Sequence, residues 1–436
     1  MLRFFLFFFL YWLPGACLPA QETEIQYLSG TGMDDKVNWV FRIDRGMNSG
    51  EWTQIPVPSN WELEGFGVYN YGRGDNPPSD ETGEYQYRFE VPAAWESKTV
   101  YIVFEGVMTD AAVAVNGQPA GPVHQGGFYR FRHDISGLLD FEGENLLVVT
   151  VRNWSANESV NAAERRADYW IFGGIYRPVY LEAKPRQHID RTAINAPADG
   201  QFTIDVYLHQ IEDATAVEAQ LADLDGTPLG DPFSLPVEPG AEQVVLATAL
   251  AGALPWSPEF PHRYRVVVRL LRDTEVLHQI TETFGFRTVD LRPGDGIYVN
   301  NVKVRFKGVN RHSFWPESGR TTNRALSIRD VELIKDMNMN AVRMSHYPPD
   351  RHFLEVCDSL GLFVLDELAG WQDAYDTAAG KELVRELVTR DVNHPSIVIW
   401  ANGNEGGFNP GLDDDFHRYD PQRRPVIHPW TTFRHT

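Results

Sequence analysis

Cysteine is scarce: only Cys17 and Cys357 occur in 436 residues. Cys17 falls in an N-terminal leader, so the mature chain keeps one thiol and has no intrachain disulfide to staple it. Stability then has to come from the size of the core. Positive charge is also short. Lys and Arg total 39 against 60 Asp and Glu, a formal net charge of −21, so a phosphate backbone or an anionic lipid surface would be repelled. Nucleic acid is thereby excluded as the main partner. Beyond the leader no apolar run is long enough to predict a transmembrane segment. Also lacking are His-Glu-x-x-His, a cysteine ligand set, a phosphate-cradling P-loop and a Gly-x-Ser-x-Gly elbow, which removes the usual signatures of zinc hydrolases, nucleotide enzymes and serine hydrolases.

What is present begins with that leader, residues 1–20. Arg3 precedes an apolar run from Phe4 to Leu13, and the small residues Gly15, Ala16 and Ala20 follow. This is the layout of a secretory signal cleaved after Ala20, and it predicts a periplasmic or extracellular protein. Lipoprotein anchoring at Cys17 is a secondary reading, because Pro14 stands three residues before it. A chain of this length exceeds one ordinary core, and two or three domains are expected. Twelve Trp, seventeen Tyr and twenty-five Phe supply flat faces that fill cores and also stack on sugar rings.

Residues 21–185 read as all-β. Tyr85–Val91 and Val100–Phe104 are aromatic and β-branched strands, and Asn116-Gly117 marks a tight hairpin. Many short strands with such turns predict a jelly roll. Residues 186–288 form a second β segment, punctuated by Asp225-Gly226-Thr227-Pro228 and Pro239-Gly240. Their length suits an immunoglobulin-like β-sandwich acting as a spacer. From 289 to 436 a hairpin gives way to alternating strands and helices. Helices are expected at Ser327–Met337, Arg351–Leu360 (stopped by Gly361) and Glu382–Val392. Strands are expected at Asn340–Met344, Leu362–Leu365 and Ile397–Trp400. Repeated βα units predict a (β/α)8 TIM barrel, of which about four and a half units fit before Thr436. The fold class is thus multidomain: jelly roll, immunoglobulin-like sandwich and an incomplete TIM barrel.

A barrel gathers its chemistry where the strands end. Here those ends carry Asn310, Arg311 and His312, then Arg343, Ser345, His346 and Tyr347, then Asp366 and Glu367, and finally Asn404 and Glu405. Any one of these could simply cap a helix. Together they pool carboxylate, amide, imidazole and guanidinium groups on one rim. Glycoside hydrolysis needs one carboxyl to protonate the leaving oxygen and a second to attack or to activate water. Glu405 suits the first role, and Asn404 beside it suits a hydrogen bond to a sugar hydroxyl.

The motifs around these residues resemble glycoside hydrolase family 2, the β-galactosidases, β-glucuronidases and β-mannosidases. Asn340–Pro348 with Asp358–Leu365 is similar to one family signature, with Met344 in place of its usual small residue. Asn393–Trp400 leading to Asn404-Glu405 is similar to a second, which holds the acid/base. Phe104-Glu105-Gly106, Val115-Asn116-Gly117 and Gly143–Leu147 resemble the family's sugar-binding jelly roll. The resemblance implies Glu405 as general acid/base and Asn404, His346, Asn310 and Arg343 near the substrate. From the stretch Asp168–Arg177 it implies a loop in which Asp168 binds sugar hydroxyls and Trp170 stacks on the ring. It places the nucleophile, a Glu, beyond Thr436, which leaves the chain as given nearly inactive alone. Galactosidases of the family often carry magnesium on a Glu and a His two residues apart; Trp371-Gln372-Asp373 stands there instead, so neither metal nor cofactor is expected. The function so implied is a retaining exo-β-glycosidase, in the first instance a β-galactosidase acting on an oligosaccharide. A β-glucuronidase and a non-catalytic carbohydrate-binding protein with a degenerate barrel are the alternatives. A monomer and an oligomer both fit the sequence.

Overall fold

The computed structural model describes residues 22–71, 79–167 and 169–429; the expected leader and Asp168 lie outside them. The N-terminal domain packs two antiparallel sheets. One pairs Glu24–Tyr27, Val179–Pro185, Lys98–Phe104 and Phe131–Asp134 in that order, and the other is centred on Asn145–Arg152 between Asp110–Val115 and Thr82–Phe89. Asn145–Arg152 alternates strictly between buried and half-buried residues, as a strand with one face on a core should. Trp39, Phe41, Trp61, Tyr85, Ile102 and Phe104 fill the space between the sheets. Asn116 and Gly117 both take positive φ, 52° and 77°, the geometry of a two-residue hairpin turn.

The middle domain is a sandwich of a three-stranded sheet, Ile189-containing His188–Asn195 with Gln201–His209 and Gln243–Ala249, and a four-stranded one. Phe202, Leu246, Val266, Phe284 and Phe286 meet between them.

After a three-stranded antiparallel sheet over Val289–Lys303 comes a parallel sheet of five strands in sequence order. They are β1 (Gly308–Arg311), β2 (Ala341–Met344), β3 (Phe363–Trp371), β4 (Ile397–Asn404) and β5 (Val426–Ile427). The connecting helices are α1 (Arg324–Asp336), α2 (Arg351–Leu360), α3 (Thr377–Asp391) and α4 (Asp413–Tyr419). Every residue of β4 is buried, which is why its sequence shows no polar alternation at first. Several boundaries differ from expectation, among them the end of β4, which runs past Trp400 to Asn404. The Asn323 side chain caps α1 by accepting from the Leu326 amide, so that helix starts before Ser327. Asp376 accepts from the Ala379 amide and starts α3 five residues ahead of Glu382. β3 runs on to Trp371, so Asp366 and Glu367 lie inside the strand rather than beyond its end.

The jelly roll and barrel are joined through buried polar contacts. Arg177 Nε pairs with Asp350 Oδ1 at 2.8 Å, while its two terminal nitrogens donate to the Phe128 and Pro348 carbonyls, each at 2.9 Å. Burial alone would raise the Asp350 carboxyl; Arg177, with His352 and Thr322, outweighs it and holds the pKa below the usual range. Arg177→Ala strands Asp350 without its cation in a dry interface. The expected loss is about 3–5 kcal/mol of unfolding free energy in a denaturant titration, with a smaller loss for Arg177→Lys. A loss under ~1 kcal/mol for the alanine variant contradicts this account of the joint.

Candidate active site

β4 ends in Asn404, and Glu405 follows in the left-handed region at φ 46°. A side chain on Gly403 would collide with the Gly407 carbonyl, as would one on Gly370 at the end of β3. Glycine at these positions lets the two strand ends lie in backbone contact. Trp371 is in register with Asn404, and the Gln372 amide donates to the Asn404 carbonyl at 3.0 Å. Beyond that bond Gln372 Nε2 donates to Glu405 Oε2 at 2.8 Å.

Under this rim two of the expected residues, Arg343 and His346, share the Glu367 carboxylate, and Arg343 passes the contact on to a third, Asn404. Arg343 Nη2 donates to Asn404 Oδ1 at 2.9 Å and lies 2.6 Å from Glu367 Oε2. His346 Nδ1 meets Glu367 Oε1 at 2.9 Å. Glu367 is fully buried, and that burial pushes its pKa up to about 8 against the pull of Arg343. Asn404 is therefore set from below by a guanidinium that is itself set by Glu367. Its Nδ2 is buried without a hydrogen-bond partner among the described residues, a donor of the kind that a substrate hydroxyl satisfies.

Aromatic rings from the jelly roll close one side. Tyr169 lies 5.6 Å from both His312 and Tyr347 and 6.2 Å from Trp371, measured between ring centroids. The Trp371 ring stands 4.9 Å from that of His346. Arg320 sits over Tyr169 and Tyr347, at 4.9 and 4.5 Å from the ring centres, and donates to the Trp170 carbonyl at 3.0 Å. Desolvation first, then the charges of Arg320 and other basic neighbours, lowers the pKa of His312, whose Nδ1 is 3.0 Å from the Tyr347 hydroxyl.

The structure thus gathers Arg343, His346 and Asn404, with Glu405 adjacent. Asn310 is exposed on β1, in register with Arg343. Trp170 is half-buried, and its ring lies 4.8 Å from that of Tyr69; its neighbour Tyr169 is the ring that meets the rim. Sequence reasoning passed over Tyr169, Gln372 and the tying role of Glu367. The aromatic run Tyr169-Trp170 held the signal for the first, while the other two depend on contacts between strands.

Three consecutive stretches match models of one family: its sugar binding domain over residues 40–185, a central domain over 186–287 and its TIM barrel domain over 289–426. The chain belongs to glycoside hydrolase family 2. A β-galactosidase of Alteromonas mediterranea is 34% identical over 415 residues, which cover 86% of this chain and 38% of that protein. Among solved structures, a β-glycosidase from Bacteroides vulgatus superposes with a TM-score of 0.75 at 28% identity, covering 92% of this chain and 54% of its own. An FMN-binding β-glucuronidase from Facaelibacterium prausnitzii gives 0.76 at 26%, covering 93% and 63%. The chain spans well under half the length of the Alteromonas relative it matches.

The magnesium site that many galactosidases of family 2 carry does not fit these residues. Of the two positions concerned, Trp371 offers no lone pair and is packed on His346, which leaves the exposed Asp373 as the single donor of the pair. Among the described residues no three His, Cys, Asp or Glu side chains converge as a ligand set.

Glu367 makes stability depend on pH in a defined direction. Its carboxyl titrates near 4.5 when unperturbed and near 8 when folded, so the folded chain keeps a proton that the unfolded chain has released. The associated stability is full below about pH 4.5 and is lost as the pH rises through about 8. Glu367→Gln removes this titration while keeping the shape. Thermal midpoints measured from about pH 5 to about pH 9 should therefore show the parent falling relative to the variant; a constant difference contradicts the shift.

Proposed function

We propose that the full-length protein is a retaining exo-β-glycosidase acting on β-galactosides, with Glu405 as its general acid/base. The observation that carries the reading is Glu405 itself, raised on the tip of a fully buried strand beside an amide that Arg343 orients. A proton donor at a glycosidic oxygen needs a fixed position more than it needs a particular fold. Asn404 presents an unpaired Nδ2 to a sugar hydroxyl, and Trp371, Tyr169 and His346 supply flat surface around it.

Retention requires a second carboxylate about 5–5.5 Å from the first. Asp366 and Glu367 are fully buried and do not suit that role: Glu367 is tied to Arg343 and His346, and Asp366 faces Asp391 and Arg390. The nucleophile is assigned to a Glu outside the described residues, as the family resemblance implies. In this reading residues 310, 343 and 346 lie near the substrate and Asp168 binds sugar hydroxyls as the resemblance implies, while Trp170, whose ring packs on Tyr69, yields its place at the rim to Tyr169. The N-terminal leader supports export to the periplasm or cell exterior. A β-glucuronidase is the second reading, favoured by the likeness to the Facaelibacterium enzyme.

A panel of nitrophenyl β-glycosides tests the substrate. The β-galactoside should be cleaved with at least about tenfold higher kcat/KM than the β-glucuronide, a margin of ~1.4 kcal/mol in transition-state binding; the reverse order hands the assignment to the second reading. In the same protein Glu405→Gln should lower kcat/KM on alkyl glycosides by about 10²–10⁴, the range that general acid catalysis supplies. Unaltered alkyl glycoside hydrolysis would remove Glu405 from the acid role.

A further inference from the structure

The geometry points to Gln372 as the positioning residue that holds the Glu405 carboxyl in place. This rests on Glu405 being the acid/base. Its support lies in how the two strand ends are built. Gln372 and Glu405 each follow the last residue of a strand, and each adopts positive φ, 61° and 46°. Two non-glycine residues in that region are uncommon and persist only where the surroundings determine them.

Here the surroundings do. The Asn404 carbonyl accepts both the Gln372 amide at 3.0 Å and the Gly407 amide at 2.8 Å. The glycines at 370, 403 and 407 leave no room for the two turns to be spaced apart by side chains. Both side chains therefore leave the backbone from a fixed, shared platform, and the 2.8 Å bond from Nε2 to Oε2 follows from it. Trp371 is held in turn against the His346 ring, which anchors the residue before Gln372 to the network of Arg343, Glu367 and Asn404.

The chemistry of an amide suits this task. An ionised Glu405 accepts from the Gln372 nitrogen, the only end of the amide that can face a carboxylate. A protonated Glu405 can donate to the amide oxygen after the side chain turns over. One neutral partner thus serves a group that gives up a proton in one step and recovers it in the next. A cation at the same place serves only the anion.

The test uses the full-length protein and compares kcat/KM on an alkyl β-galactoside, which needs protonation to leave, with kcat/KM on the dinitrophenyl β-galactoside, which does not. Gln372→Ala is expected to lose at least about tenfold more on the alkyl substrate than on the dinitrophenyl one, since only the former depends on a well-placed acid. Gln372→Asn, which keeps the amide on a shorter stem, should restore part of that loss. Exhaustive treatment of the parent with EDTA should leave both values unchanged. An equal loss on the two substrates reduces Gln372 to a structural role, and a loss in EDTA that magnesium reverses overturns the inference. The Glu405→Gln variant separates the two layers. If it shows the same leaving-group selectivity while Gln372→Ala shows none, the inference about Gln372 fails and the acid/base reading stands. If Glu405→Gln shows no selectivity, both fall together.

Discussion

The backbone contact between the ends of β3 and β4 is the constraint on which the site depends. It exists because glycine occupies positions 370, 403 and 407, where any side chain would meet a neighbouring carbonyl or turn. Asn404 is pinned on both sides: its backbone carbonyl by the Gln372 and Gly407 amides, its side-chain oxygen by Arg343. With Asn404 fixed, Glu405 has little freedom left except about its own side chain, and Gln372 meets that. The placement of the Glu405 carboxyl comes here from strand geometry.

The jelly roll contributes to the same site through a shared interface. Tyr129, from that domain, accepts from the Ala369 amide of β3 at 3.1 Å, and Tyr375 just past β3 donates to the buried Glu164 of the jelly roll at 2.5 Å. Burial raises Glu164 to about 7. The segment leading to the rim is therefore clamped from the side of the N-terminal domain, with Tyr169 and Arg320 packed above it. Sugar-binding domain and barrel thus meet through buried polar contacts, and the Arg177–Asp350 pair is another of them. The sandwich stands further from the chemistry, joined to β4 where Arg287 donates to the carbonyls of Pro395 and Ile397.

Much of this was legible from residue order. The buried strand at Ile397–Trp400, the helix ending at Gly361 and the Asn116-Gly117 hairpin each follow from a local rule, and the folded chain has them. The pooling of Arg343, His346 and Asn404 followed from a single idea, that parallel strands end on a common rim. What could not be read is whatever depends on side chains meeting between strands. Glu367 looked like another rim acid; only the length of β3, set by pairing with β4, shows it buried beneath Arg343 and His346. Gln372 looked like a departure from a metal motif, and its bond to Glu405 depends on two left-handed residues that no periodicity announces. The starts of α1 and α3 were missed for a smaller reason, since Asn323 and Asp376 act as caps in stretches with weak apolar spacing.

The central claim is that Glu405 gives and recovers the proton while another carboxylate makes the covalent bond. Azide rescue of Glu405→Ala tests it most directly. With the catalytic acid/base removed, a dinitrophenyl β-galactoside still glycosylates the nucleophile, and azide, needing no base, attacks the resulting intermediate. The account predicts that added azide accelerates turnover and that proton NMR identifies the product as the β-galactosyl azide. An α-galactosyl azide would make Glu405 the nucleophile itself, and the absence of any rescue would contradict its part in the reaction.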